Sequence, residues 1–313
     1  MNRPVLFVSG SLAALLVSCG AARTSATTAA PATTTDRRII RLDRPYTVGE
    51  RVRIESAATE RTQSTLALDG QPSGGQQREE TAQMAARVEV LAVSARGEPT
   101  HSRFTIERFE FGSTGQASRA IPAGQVLDVT RGDTADHAVV TVNGTPATSE
   151  LRHAVQLLVN LTTDDAGVSS DAVFGSSEAR APGETWPVDA DRAAQSLAAT
   201  SGVRGHYTGA THFIGLATVR GVPCLSLEMT LDGDLDGLPD LPGGVTLDHA
   251  HLRTRGRMMI PSDEHLPRVQ STVETHLEID AHGVVQQHAA TLHVVHEGTK
   301  SDITLMDSAA ASS

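Results

Sequence analysis

Apolar and polar residues alternate singly over long stretches of this 313-residue chain, and a period of two leaves few architectures open. Leu225, Leu227, Met229 and Leu231 fall on one side of an extended strand, while Ser226, Glu228 and Thr230 fall on the other. Leu252, Thr254, Gly256, Met258 and Ile260 share a face opposite Arg253, Arg255 and Arg257. Val269, Val273, Leu277 and Ile279 oppose Gln270, Thr272, Glu274, His276 and Glu278. The run from Arg87 to Val93 leads through Arg96-Gly97-Glu98-Pro99 into Arg103-Phe104-Thr105-Ile106, which predicts two antiparallel strands and a turn. The change of phase to Phe109 and Phe111 predicts a bulge.

One segment departs from this period. Ser149–Leu158 sets Leu151, Ala154, Val155 and Leu158 on one helical stripe, with Ser149 placed to cap it. A weaker helical pattern covers Asp191 to Ala199. The expected fold class is therefore mainly β to α+β: curved antiparallel sheets of about a dozen strands with one firm helix. The order of short motifs also repeats. Val48-Gly49-Glu50-Arg51-Val52 returns in outline as Pro182-Gly183-Glu184-Thr185-Trp186, and Leu91-Ala92 with Arg96-Gly97-Glu98-Pro99 returns as Leu216-Ala217 with Arg220-Gly221-Val222-Pro223. A duplicated meander would divide the β-rich domain, 37–306, into halves 37–165 and 166–306; shared turn chemistry is the alternative.

The N-terminus carries an address. Residues 1–18 combine one positive charge at Arg3 with an apolar run from Val5 to Val17, too short to span a bilayer. Leu16-Val17-Ser18-Cys19 then resembles the lipobox of bacterial lipoproteins. The resemblance implies that residues 1–18 are a signal peptide and that Cys19 becomes the lipidated first residue; an ordinary signal with an incidental cysteine is the alternative. Gly20 in place of an aspartate implies sorting to the outer membrane. Residues 20–36 are almost all Ala, Thr, Gly, Pro and Ser, a composition too poor in apolar area to fold, which predicts a flexible tether over 19–36. Residues 307–313 read as a disordered tail. Val48-Gly49-Glu50, the helix at Leu151 and Gly183-Glu184-Thr185-Trp186 resemble elements of a family of uncharacterised bacterial lipoproteins, whose Gly-acidic-x-Trp element implies a fold and an address but no activity.

Composition excludes several classes. The formal charge is −11 and aromatic residues make up 3%, so nucleic acid is a poor partner. With Cys19 lipidated, Cys224 is left alone and no intramolecular disulfide can form. No hydrolase elbow, Ser-x-x-Lys, His-Glu-x-x-His or phosphate loop occurs. Cys224, beside Pro223, lacks a basic neighbour and reads as a packed thiol; Trp186 reads as a core anchor.

Three patterns could carry chemistry. Asp232, Asp234, Asp236 and Asp240, with Gly237 to allow a sharp turn, have the spacing of a calcium loop. The loop departs from the EF-hand at Gly243, where a bidentate glutamate belongs, and a solvated acidic turn between strands is the competing reading. His249 and His251 would point to one face and could bind zinc, but Arg253, Arg255 and Arg257 continue that face and disfavour a dication. Among thirteen histidines, those from His276 to His296 fall around a hairpin turned by His282-Gly283, which sets Leu277 opposite His288 and Thr272 opposite His293. That register leaves His276 and His293 outward and His288 on the apolar face.

These features point to a lipid-anchored protein of the cell envelope with a non-catalytic binding or structural role and a protein or apolar-ligand partner. A half-barrel carrier of an apolar ligand or lipid is the alternative, and an enzyme whose site is scattered in sequence is the third. A packed core between sheet and helix is expected ahead of an open cavity. Cys19→Ala is expected to abolish acyl labelling and release the protein from the membrane fraction; label retained on that variant would contradict lipidation.

Overall fold

The computed structural model describes residues 37–163, 168–239, 244–267, 269–285 and 287–306. The expected signal, Cys19, tether, Asp240 and C-terminal tail lie outside them. In chain order the elements are β1 (Arg38–Ile40), β2 (Arg51–Leu68), β3 (Gln71–Val93), β4 (Pro99–Ser113), β5 (Arg119–Ile121), β6 (Val126–Thr130), β7 (Val139–Val142), β8 (Thr145–Pro146), α1 (Ser149–Leu158), α2 (Ser170–Phe174), β9 (Ser176–Arg180) and β10 (Thr185–Pro187). They continue as α3 (Ala190–Ser201), β11 (Arg204–Val219), β12 (Val222–Gly237), β13 (Val245–Pro261), β14 (Gln270–Val285) and β15 (His288–Met306).

Thirteen strands form one antiparallel sheet in the order β10-β11-β12-β13-β14-β15-β2-β3-β4-β6-β7-β8, with β5 added on β4; β1 and β9 form a separate pair. The path ends at β10 and β8, so the sheet is open. Sheets of this width curl, because each strand is rotated on its neighbour. The central joint is β15 on β2, in unbroken register from Ala290↔Leu68 to Met306↔Val52.

The outer face carries charged pairs between adjacent strands. Arg61 meets Glu79 at 2.7 Å, Arg253 meets Asp232 at 3.0 Å and Arg255 meets Glu228 at 2.6 Å. Each contributes little alone, but together they make the outer face a charged surface. The inner face holds two apolar clusters. One gathers Phe213, Leu227, Met229, Met258 and Leu277 under α2 and α3 with Trp186. The other gathers Met84, Phe104, Ile106, Phe109 and Leu127 under α1.

The bulge predicted between Ile106 and Phe109 is present: Ala85 pairs with Arg108 and Ala86 with Ile106, so Glu107 is the extra residue. Helix α1 is capped one residue earlier than expected, by Thr148, whose hydroxyl accepts from Leu151 N at 3.3 Å. The weaker helical pattern is α3, capped by Asp189 and closed by Gly202 at φ 70°. Helix α2, five residues capped by Ser169, is additional. The paired motifs share hydrogen bonds as well as turn residues. Gly49 N donates to Val90 O and Val90 N to Glu50 O; Gly183 N donates to Phe213 O and Phe213 N to Glu184 O.

The hairpin register of β14 and β15 differs from expectation. Val285 pairs with His288, Leu277 with His296 and Thr272 with Ser301, so the turn lies four residues beyond His282-Gly283. Gly283 serves another purpose, since a Cβ there would sit 2.5 Å from the carbonyl oxygen of Gly244, just before β13, and 3.1 Å from Val245 Cα at its start. The positive φ falls instead at Gln287, at 73°. Because the register moved by an even number, the faces of His276, His288 and His293 are unchanged.

Gly283→Ala is expected to destabilise the protein by about 1–3 kcal/mol through that clash, while Gln287→Gly stays within about 1 kcal/mol of the parent because glycine relieves the left-handed backbone. Urea unfolding of both variants checks this; a neutral Gly283→Ala would restore the earlier turn.

Candidate functional site

The two apolar clusters stay separate along the middle of the central joint, where most inward positions carry polar side chains. Along β15 they are Asp302, Lys300, Gly298 and His296; their partners on β2 are Ser56, Ala58, Glu60 and Thr62. A cavity of about 280 Å³ opens on this seam. Its walls come from both clusters, with Val88, Phe104 and Leu158 on one side and Phe174, Met229 and Met258 on the other. The segment Leu42–Tyr46 and one turn of α3 complete it, and its lining reaches solvent at Pro45 and Arg96.

Buried polar groups concentrate here. Among the described residues ten polar or charged side chains are buried, and five of them, Ser56, Ser102, Ser196, Ser271 and Lys300, line this cavity. Lys300 is 6% exposed and its ammonium lies 3.8 Å from Asp302. Ser196, on α3, is fully buried and its Oγ has no hydrogen-bond partner among the described residues. An orphaned hydroxyl beside open volume is the kind of group a ligand or water satisfies.

Further along the seam, under α1, sits a titratable cluster that sequence reasoning missed. Glu60 and Glu80 are direct partners across β2 and β3. His153 of α1 bonds Glu80 through Nε2 at 3.1 Å, Arg78 donates to Glu80 at 2.6 Å, and Thr62 meets His296 Nδ1 at 3.1 Å. Burial holds the Glu60 carboxyl above the usual carboxylate range, with the Glu80 charge adding to it. Burial also pushes Glu80 upward, but its bond to His153 and the charges of His153 and Arg78 outweigh that and leave it below. The same bond raises His153.

The residues predicted to bind calcium take another form. Asp232, Asp234 and Asp236 lie within β12, which runs to Gly237. Asp232 engages Arg253 at 3.0 Å and His251 Nε2 at 3.2 Å; Asp234 engages His251 Nδ1 at 2.9 Å. Asp236 faces His206 at 3.5 Å. An extended strand spaces alternate side chains by roughly 6.6 Å, where a calcium loop converges its oxygens. Asp240 lies outside the described residues. His249 and His251 stack with ring centroids 6.2 Å apart, and His251 stands between two aspartates. The group with metal-ligand spacing among the described residues is Glu278, Asp280 and His293, whose ligand atoms lie within 4.8 Å of one another. It forms only because Asp280 pairs with His293 in the observed register.

Cys224 is buried, with its thiol pushed up to about 11 by burial, which leaves it unreactive. Trp186 is a core anchor: its Nε1 donates to Phe174 O at 3.1 Å and Gly175 O at 3.0 Å.

No protein-family profile matches the chain, and no curated protein matches it. Among solved structures, a chain titled for the asymmetric conductivity of engineered proteins aligns over 80% of this chain and 99% of its own, at 10% identity and a TM-score of 0.16. A mutant of the Rh. blastica porin aligns over the same shares at 10% identity and a TM-score of 0.17. Likeness at that level carries no argument about fold or function.

The seam cluster makes stability depend on pH. Glu60 and His153 are both raised in the folded state. Each stabilises below its ordinary pKa and loses that contribution as pH rises through its folded value. For Glu60 the loss begins above the ordinary carboxylate range, and for His153 above the ordinary histidine range. Glu80, lowered, acts in the opposite sense: its contribution is present above the ordinary carboxylate range and fades as pH falls. Glu60→Gln is therefore expected to gain more stability at pH 8 than at pH 4.5, and His153→Gln to lose the decline above pH 7. Urea unfolding across pH measures both; equal effects of Glu60→Gln at the two pH values would contradict the burial of Glu60.

Proposed function

We propose that this chain is a lipid-anchored envelope protein that binds a small, partly apolar ligand without transforming it. The observation that carries the reading is the cavity on the polar seam, where buried hydroxyls and the Lys300–Asp302 pair face open volume between two apolar walls. Apolar lining with a few convergent polar groups is what small-molecule sites are made of. The lipobox Leu16-Val17-Ser18-Cys19 and the tether after it support attachment through Cys19 to the outer membrane.

Size separates this from the carrier of a whole lipid. At the roughly 30 Å³ that a water occupies in the liquid, about 280 Å³ corresponds to roughly nine waters, or a similar number of ligand heavy atoms. That suits a single short chain or a small ring system and is too little for two acyl chains.

Native mass spectrometry of protein extracted from its own membrane, followed by analysis of the molecules released on denaturation, tests the reading. The expected release is a small or single-chain compound. Release of a two-chain phospholipid would support the lipid-carrier alternative. An empty protein whose melting temperature no small amphiphile raises would leave a purely structural role.

A further inference from the structure

We infer that the seam cavity selects an uncharged ligand that donates a hydrogen bond, an aliphatic alcohol being the simplest fit, with its hydroxyl among Asp302 and Ser196 and its chain between the two apolar walls; this rests on the binding reading above. Three observations carry it. The first is charge balance. Every cation on the lining is already engaged. Lys300 lies 3.8 Å from Asp302 Oδ2, and Arg96 lies 3.8 Å from Glu98 Oε1. Arg44 donates to Asp43 O at 3.0 Å and to Pro261 O at 3.1 Å, and Arg44, Arg96, Arg131 and Lys300 each have a further partner in the protein. A ligand with a full charge of either sign would add an uncompensated ion to this partly buried space, and such an ion is far costlier there than in water.

The second is an acceptor. Asp302 turns Oδ2 to Lys300, while its Oδ1 is buried and makes no hydrogen bond among the described residues. A carboxylate oxygen only accepts, so whatever meets Oδ1 must donate. A carboxylate ligand would set one anionic oxygen against another. An alkylammonium could donate, but it would bring a second ammonium into the space beside Lys300, which is 6% exposed. A hydroxyl donates and incurs neither repulsion.

The third is Ser196. It is fully buried, it lines the same cavity, and its Oγ has no hydrogen-bond partner among the described residues. A serine hydroxyl both donates and accepts, and an alcohol does the same, so one kind of group answers Ser196 and Asp302 alike. The buried Nε of Arg44, a donor on this lining, is equally compatible with an alcohol oxygen. Meeting such atoms matters because a buried polar group left without a hydrogen bond costs free energy that its partner recovers. The apolar remainder of the ligand then contacts Val88, Phe104, Phe174 and Met258, all of which line the cavity.

Isothermal titration of the full chain at pH 7 with 1-octanol, heptyl methyl ether, octanoate and octylammonium tests this. The alcohol and the ether are isomers, and only the alcohol can donate. Octanol is expected to bind at least about tenfold more tightly than the ether and more tightly than either ion. Asp302→Asn, which keeps the shape and removes the negative charge, is expected to narrow the alcohol–ether difference by at least about threefold and to strengthen octanoate, because Lys300 is then no longer offset. Ser196→Ala is expected to weaken octanol and leave octanoate weak, and it decides the matter if Asp302→Asn does not fold. Equal binding of octanol and the ether by the parent would overturn the donor inference while leaving a binding site in place. Tighter binding of octanoate or octylammonium than of octanol would overturn the choice of an uncharged ligand. Failure of all four probes, together with an empty protein from the membrane, would remove the binding reading itself.

Discussion

Everything in this fold hangs on the pairing of β15 with β2. Thr59 faces Thr299, 240 positions later in the chain, and the register between the two strands holds without interruption from end to end. Without that joint the chain would leave two meanders, each with a long unpaired edge. With it, the edges of the thirteen-stranded sheet are the short strands β10 and β8. A contact between the first long strand and the last is costly in loop entropy and forms late, so folding of this protein is expected to be slow relative to its size.

The same joint is also where the interior is least apolar. Ser56, Glu60 and Thr62 on one strand and Asp302, Lys300 and His296 on the other point inward, so the clusters under α1 and under α3 stay separate. Burying Lys300 and Glu60 costs free energy that a row of valines would not. Local choices that oppose the rest of a fold concentrate at functional sites, and here they coincide with the cavity. The seam thus has two parts: a charged cluster clamped to α1 through His153, and a ligand-sized space bounded by Lys300, Ser196 and the two apolar walls.

Period-two patterning made the strands around Arg87–Ile106, Leu225–Leu231, Leu252–Ile260 and Val269–Ile279, their inner faces and a bulge before Phe109 readable in the sequence, because one-sided burial imposes strict alternation. Register was not readable. His282-Gly283 has the chemistry of a hairpin turn, yet Gly283 is there because β13 approaches too closely for a side chain. Asp232-Gly233-Asp234 looks like a turn for a similar reason, but β11 and β13 pair with it on both sides and extend the strand through it. Helix α2 is too short to show a period. The contacts that build the site join residues far apart in sequence: Glu60 with Glu80, Asp280 with His293, Ser56 with Asp302. In sequence Glu60 and Glu80 look like solvated charges, although each shares its phase with a buried neighbour, Ala58 and Ala82. That shared phase was the one available signal.

The central claim, one sheet zipped at β15 and β2 with a divided interior, is tested most directly by native-state hydrogen exchange on the full chain. The account predicts that amides of residues 52–66 and 292–304 are among the slowest to exchange and open only with global unfolding, because their ladder lies mid-sheet under both clusters. Fast exchange along both of these strands, with protection confined to two separately unfolding halves, would contradict it.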